Sequence, residues 1–269
     1  TDTLDLEPGE EVEVNIVMSA VPYEPSFAAP VLNPFGLDQI SWEYLKGPEL
    51  GDLDGDGDLD LLTFYFNSIY MLENTGSSSS PSFVNNSNYI FNSFPTSPGA
   101  NPRFAAGDVD GDGNTDIVAD PGTSGFYFLK NDGSASFTNV KTFSLYSEDP
   151  TLGDIDNDGD ADVIMWDSGV YGFQLYTNDG NNPPGFTENT ADIGIPDYIG
   201  SQVSPNLNDL DGDGDLDLLG IDSDGSFLYY ENTGTKNSPS FSEIASSNLG
   251  FDTISNSYII GSYLFLTEG

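Results

Sequence analysis

The chain has 269 residues, enough for one large domain or two small ones, and carries 45 Asp and Glu against 5 Lys and Arg for a net charge of −40. So few cations cannot displace counterions from nucleic-acid phosphates or hold an anionic membrane surface, so nucleic acid is excluded as a partner and cations are expected. The absence of Cys and His removes disulfides, thiolate nucleophiles, Cys/His zinc sites and a Ser-His-Asp triad.

In chain order, residues 1–24 come first. They start at Thr1 with no Met and no basic-then-apolar leader, as expected of a mature secreted product or of a piece of a longer chain. "EVEVNIVM" (residues 11–18) reads as a strand. From residue 25 to 269 the chain is a series of repeats. An Asp cluster recurs as "DLDGDGDLD" from Asp52, "DVDGDGNTD" from Asp108, "DIDNDGDAD" from Asp154 and "DLDGDGDLD" from Asp209. An Asn-x-Gly turn follows each cluster at near-constant spacing, ending at Gly76, Gly133, Gly180 and Gly234. A Phe follows each turn: Phe83, Phe137, Phe186 and Phe241.

Between these landmarks lie short apolar runs. "LDLLTFYF", "TDIVA", "ADVIMW" and "LDLLGI" follow the clusters, and "IYMLEN", "GFYFLKN", "FQLYTN" and "FLYYEN" precede the turns. Runs of four to eight residues bounded by Gly, Asn and Asp predict antiparallel strands, and no helical period is found. Each unit has room for about four strands, which suits a propeller blade. The fold expected is all-β: a β-propeller of four-stranded antiparallel blades. Phe27 stands before Asp52 as Phe83 stands before Asp108, so the chain starts late in one unit; "NSYIIGSYLFLTEG" ends it early in another. The expected count is therefore five blades, the fifth closed by N- and C-terminal strands and lacking a metal loop. In an open alternative, the 1–24 segment pairs with a neighbouring molecule. No apolar run reaches the ~18–20 residues of a membrane span, so no membrane insertion is expected.

The clusters carry the chemistry. In the first, Asp52, Asp54 and Asp56 hold loop positions 1, 3 and 5, Asp58 offers its backbone carbonyl at position 7, and Asp60 closes the loop at position 9. The corresponding residues are Asp108, Asp110, Asp112, Asn114 and Asp116; Asp154, Asp156, Asp158, Asp160 and Asp162; and Asp209, Asp211, Asp213, Asp215 and Asp217. Two carboxylates ~4 Å apart repel by about 4 kcal/mol at an effective dielectric of ~20, so a loop of them needs a cation. Many hard oxygens around a sharp turn suit Ca²⁺ better than the smaller, more hydrated Mg²⁺. About four structural calcium ions are expected. An EF-hand is excluded, because position 12 is Thr63, Ala119, Met165 or Gly220 rather than Glu, and a strand follows.

With these loops, turns and Phe residues, the region from about 25 to 266 resembles the FG-GAP/VCBS repeats. These build the calcium-binding propeller of integrin α-subunit heads and of many secreted bacterial proteins. The resemblance implies extracellular or cell-surface placement, structural calcium, and a role in adhesion or assembly, with a protein partner or self-association and no catalysis. Two alternatives stand beside it: a lectin-like propeller that binds glycans, or the non-catalytic domain of a secreted enzyme. Trp42, Trp166 and the many Tyr suit blade cores or a sugar-stacking face. Of the adjacent Tyr229 and Tyr230, one is expected to face inward and the other outward.

Overall fold

The computed structural model describes residues 46–65, 68–85, 89–92, 103–122, 125–143, 148–189, 193–196, 198–199, 203–222, 226–235 and 238–245, with Phe35 and Leu37. The chain divides into two compact units, Thr1–Leu32 and Asn33–Gly269. The first lies outside the described residues. So do the expected boundary at residue 24, Trp42, and the strands at both termini that would make a fifth blade.

The second unit is all-β. Its first sheet contains β1 (Lys46–Gly51), β2 (Asp60–Tyr65), β3 (Ser68–Asn74), β4 (Phe83–Val84) and β5 (Tyr89–Asn92). The second contains β6 (Arg103–Gly107), β7 (Asp116–Asp120), β8 (Phe126–Asn131) and β9 (Phe137–Phe143). The third contains β10 (Glu148–Gly153), β11 (Asp162–Asp167), β12 (Gly172–Asn178) and β13 (Phe186–Glu188), and the fourth β14 (Val203–Asn208), β15 (Asp217–Asp222), β16 (Phe227–Asn232) and β17 (Phe241–Ile244). Each is an antiparallel meander in sequence order. In the first sheet the outer edge is shared: β4 pairs with the end of β3 at Glu73 and Asn74, and β5 with its beginning at Ser68 to Tyr70. The three sequence landmarks bound the strands. The last Asp of each cluster opens the second strand, the turn Asn ends the third, and the Phe opens the fourth.

The first strands lie side by side in series, β1 against β6, β6 against β10 and β10 against β14. Four blades, each a four-stranded meander and the first carrying β5 as a fifth strand, thus stand around a common centre, a β-propeller arrangement. The packing explains why the second strands are apolar on both faces. Among the described residues three cores lie between successive blades. Ile117 and Ala119 of β7 face the first blade, packing with Leu62, Phe64 and Ile69. Val118 between them faces the third, packing with Val163 and Met165. Ile164 and Trp166 of β11 in turn face the fourth blade, packing with Val203, Leu218 and Tyr230. Period-two alternation here sends side chains to two different cores rather than to core and solvent.

That sandwiching corrects one expectation and decides another. Tyr229 and Tyr230 point to opposite faces, yet both are buried, at 4% and 2% exposure. Tyr230 packs edge-on to Phe173, while the Tyr229 hydroxyl donates to Asp217 Oδ2 at 3.0 Å. Trp166 is 1% exposed and is blade core, not a sugar-stacking surface.

The inner strands line a central cavity of about 240 Å³. Arg103 of β6 crosses to β10, where its Nε donates to Asp149 Oδ1 at 2.5 Å and its Nη1 lies 3.7 Å from Glu148. Ser204 of β14 donates to the other oxygen of Asp149 at 2.9 Å, so one buried carboxylate ties three blades together. Glu49 of β1 also lines the cavity, and burial pushes its carboxyl up to about 8.

Candidate metal centres

Each Asp loop connects the first and second strands of its blade, and the four share a common plan, although Oδ1 of position 1 accepts from position 4 in the first and fourth loops and from position 5 in the second and third. Position 6 is Gly with a left-handed backbone, at φ 91° for Gly57, 87° for Gly113, 103° for Gly159 and 96° for Gly214. This conformation costs a Cβ-bearing residue energy and so accounts for the Gly. The N–H of that Gly donates to the position-1 carboxylate, for example Gly57 to Asp52 Oδ2 at 3.0 Å and Gly214 to Asp209 Oδ2 at 3.1 Å. The position-7 N–H donates to position 5, as Asp58 does to Asp56 and Asp160 to Asp158, at 2.9 and 3.0 Å. The first strand ends where the next blade's loop approaches closely. A Cβ on Gly153 would lie 2.6 Å from Leu216.

Position 9 is the structural hub. Asp60, Asp116, Asp162 and Asp217 are at most 1% exposed. One oxygen of each accepts the N–H of position 2, from Leu53, Val109, Ile155 and Leu210 at 3.0–3.2 Å. The other accepts the backbone N–H of the turn Asn, from Asn74, Asn131, Asn178 and Asn232, at 2.8 Å in every blade. Burial is the largest influence on these carboxyls and outweighs the donated hydrogen bonds. It pushes Asp60 up to about 6 and Asp116 and Asp162 to about 7, and raises Asp217. Buried carboxyls of this kind favour either a proton or a nearby cation.

The loops bring positions 1, 3 and 9 together. Asp52, Asp54 and Asp60 each offer an oxygen within 4.8 Å of the other two, and so do Asp108, Asp110 and Asp116; Asp154, Asp156 and Asp162; and Asp209, Asp211 and Asp217. The expected position-5 and position-7 ligands lie on the same loops but outside these close triads: Asp56, Asp112, Asp158 and Asp213, and Asp58, Asn114, Asp160 and Asp215. The donor set fits a hard divalent cation. Asp110 Oδ1 and Asp156 Oδ1, both at position 3, are buried without a hydrogen-bond partner, and a buried carboxylate oxygen is costly unless something positive faces it. These residues would hold Ca²⁺, which would supply charge neutralisation and loop order.

Two participants are not evident from the motif. The first is the turn Asn, read from sequence only as a turn former. Its side-chain oxygen accepts from the turn, as from Gly133 N at 3.1 Å. Its amide reaches the preceding blade's loop: Asn131 Nδ2 donates to Leu53 O at 2.8 Å and Asn178 Nδ2 to Val109 O at 2.6 Å. Each of these two loops is thus pinned by the following blade. The signal in the sequence is the recurrence of Asn at this one position in all four repeats. The second is Lys130. Its ammonium donates to Asp110 Oδ2, and to Asp112 Oδ2 at 2.6 Å. Burial works to lower the Lys130 pKa but is outweighed by these two bonds, which hold the ammonium above its ordinary range. The Lys130 bond is in turn the largest influence lowering Asp112.

Four antiparallel blades in series, each with an Asp-rich loop between its first two strands, define a repeat β-propeller with metal-binding capacity. The FG-GAP-like repeat profile matches residues 52–119 and 154–220, and the chain belongs to that family. No curated protein matches it. Among solved structures, a lectin from Agrocybe aegerita that recognises non-reducing terminal N-acetylglucosamine is similar over 73% of this chain, at 20% identity and a TM-score of 0.52. This chain covers 51% of that lectin, about half its length. The Photorhabdus luminescens Tc holotoxin pore is similar over 76% of this chain and 9% of its own, at 18% identity and a TM-score of 0.39. Among the described residues no helix is long and apolar enough to cross a membrane.

Proposed function

We propose that this chain is a calcium-stabilised, non-catalytic propeller module of the extracellular space that serves adhesion or assembly, through a protein partner or further copies of itself. The observation that carries the reading is the fourfold recurrence of three carboxylates converging within 4.8 Å on a common loop plan. A chain with net charge −40 and no disulfide needs another source of rigidity, and divalent ions reverse the sign of the loop repulsion. Extracellular calcium modules bind at ~10⁻⁴–10⁻³ M. A site held at ten times its Kd adds about 1.4 kcal/mol to stability, so several sites raise the melting temperature by on the order of 10 °C or more. Thermal unfolding in chelator, then with Ca²⁺ or Mg²⁺ restored, tests this: Ca²⁺ should recover the loss and Mg²⁺ should recover less. Equal melting with and without chelator would refute the calcium reading. Sedimentation with and without Ca²⁺ then separates a self-assembling module from one that needs a partner.

A second reading, glycan binding, is favoured by one surface feature. Tyr171 and Tyr198 are 51% and 67% exposed and sit edge-to-face at 6.1 Å, an apolar platform of the kind that sugars stack on. The fold shared with the Agrocybe aegerita lectin is compatible with it. Titration with N-acetylglucosamine and a glycan array tests this reading, and no binding at millimolar sugar removes it.

A further inference from the structure

The residue just before the turn Asn differs in charge among the repeats: Glu73, Lys130, Thr177 and Glu231. In the first repeat Glu73 lies near enough to Asp54 to add to the loop's negative field. In the third, Thr177 turns to the outer strand, where Asn189 Nδ2 donates to its hydroxyl at 2.6 Å. In the second, Lys130 bonds the carboxylates of both Asp110 and Asp112. Asp110 is a position-3 residue whose side chain is fully buried, and Lys130 is itself three-quarters buried. The ammonium therefore lies inside the loop's charge cluster, on oxygens that a divalent ion would otherwise claim.

We infer that the four loops are not equivalent: the second is neutralised from within by Lys130 and takes calcium at least tenfold more weakly than the other three. This rests on the calcium reading above and adds to it a built-in cation that competes for one site. Two geometric facts bear on it, and one consequence follows. The ammonium satisfies Asp110 Oδ2 and Asp112 Oδ2 but leaves Asp110 Oδ1 unpartnered, so binding is weakened rather than abolished. Position 7 of this loop is Asn114, whose amide donates to Asp112 Oδ1 at 2.8 Å, so this loop alone lacks an acidic side chain there. A fixed monovalent charge needs no calcium, so the second loop should stay ordered in chelator when the others lose their ions.

The test counts ions. Calcium titration of the full chain by calorimetry, with native mass spectrometry for stoichiometry, should show three ions in the tight phase and a fourth bound at least tenfold more weakly. Lys130→Glu, which copies the first and fourth repeats, should show four tight ions. Lys130→Thr, which copies the third, should do the same and serves if the Glu variant folds poorly. The reciprocal Glu73→Lys should cut the tight count to two. In chelator, Lys130→Glu should melt below the wild type, and calcium should close the gap. Four equivalent ions in the wild type, or an unchanged count in the Lys130 variants, would overturn this inference and leave the calcium reading standing. No calcium bound by any form would overturn the calcium reading itself, and this inference with it.

Discussion

Replacing Asp162 by Asn tests whether the position-9 carboxylate organises the blade. The substitution keeps size and shape, so packing among Val163, Ile164 and Asn178 is unchanged. The acceptor count changes. Asp162 receives Ile155 N at 3.0 Å on one oxygen and Asn178 N at 2.8 Å on the other, and its side chain is fully buried. An amide has one acceptor oxygen, so its NH₂ must face one of the two buried N–H groups. Losing a hydrogen bond to a charged acceptor costs about 1.5–3 kcal/mol, and the stranded donor costs about 1–3 kcal/mol more. Taking about 2.5 kcal/mol as the low end, and about 2–4 °C per kcal/mol for a domain of this size, the melting temperature should fall by roughly 5–10 °C. The assay is thermal unfolding followed by circular dichroism at about pH 8, above the raised pKa, so that the wild-type group is ionised. That fall is expected in calcium, where the cation neutralises the carboxylate; in chelator it should be smaller, because the neutral amide also escapes the burial and the Asp156 and Asp158 repulsion that push the Asp162 carboxyl up. A variant within about 2 °C of wild type in calcium would show that the two N–H groups are satisfied elsewhere and that position 9 is not the hub.

Arg103→Leu strands Asp149, which is 7% exposed and would keep only Ser204 as partner. Breaking a buried pair costs about 3–5 kcal/mol, so the urea midpoint should drop markedly, and Arg103→Leu with Asp149→Asn should recover part of it. The pH dependence without metal has a definite sign. Burial raises Glu49 to about 8 and Asp120 to about 7, well above the ~4 of an unfolded carboxyl. The folded form therefore binds these protons more tightly, and their contribution is full below about pH 4 and lost as pH rises through 7 to 8. Urea midpoints in chelator should thus fall between about pH 6 and pH 8.5, and Glu49→Gln should flatten the slope. A rising midpoint over that interval would contradict the burial of Glu49.

Much of this molecule is legible from local pattern, because the repeat writes the same constraints four times. Strand starts, turns and outer-strand starts coincide with Asp, Asn and Phe positions, since each residue type meets a local demand: a carboxylate closing its loop, an amide filling a turn, an aromatic ring entering a core. The continuous apolar second strands, read without a structure, mark only burial on both faces. That "DIVAD" splits its side chains between two cores, and that Tyr229 is buried as well as Tyr230, depends on blades on either side of each sheet.

The sequence by itself determined the four units and the acidic character of the loop in each, because each landmark rests on neighbours within about ten residues. The tertiary structure alone decided which charges meet across distance. Lys130 is one of five cations in the chain and is separated by a whole hairpin from Asp110 and Asp112, yet antiparallel pairing of β7 with β8 brings it to their loop. Arg103 reaches Asp149, and Asn131 reaches Leu53, only because consecutive blades stack side by side. Contacts between units depend on how the repeats pack, and a repeat's own residues do not record which neighbour will face it.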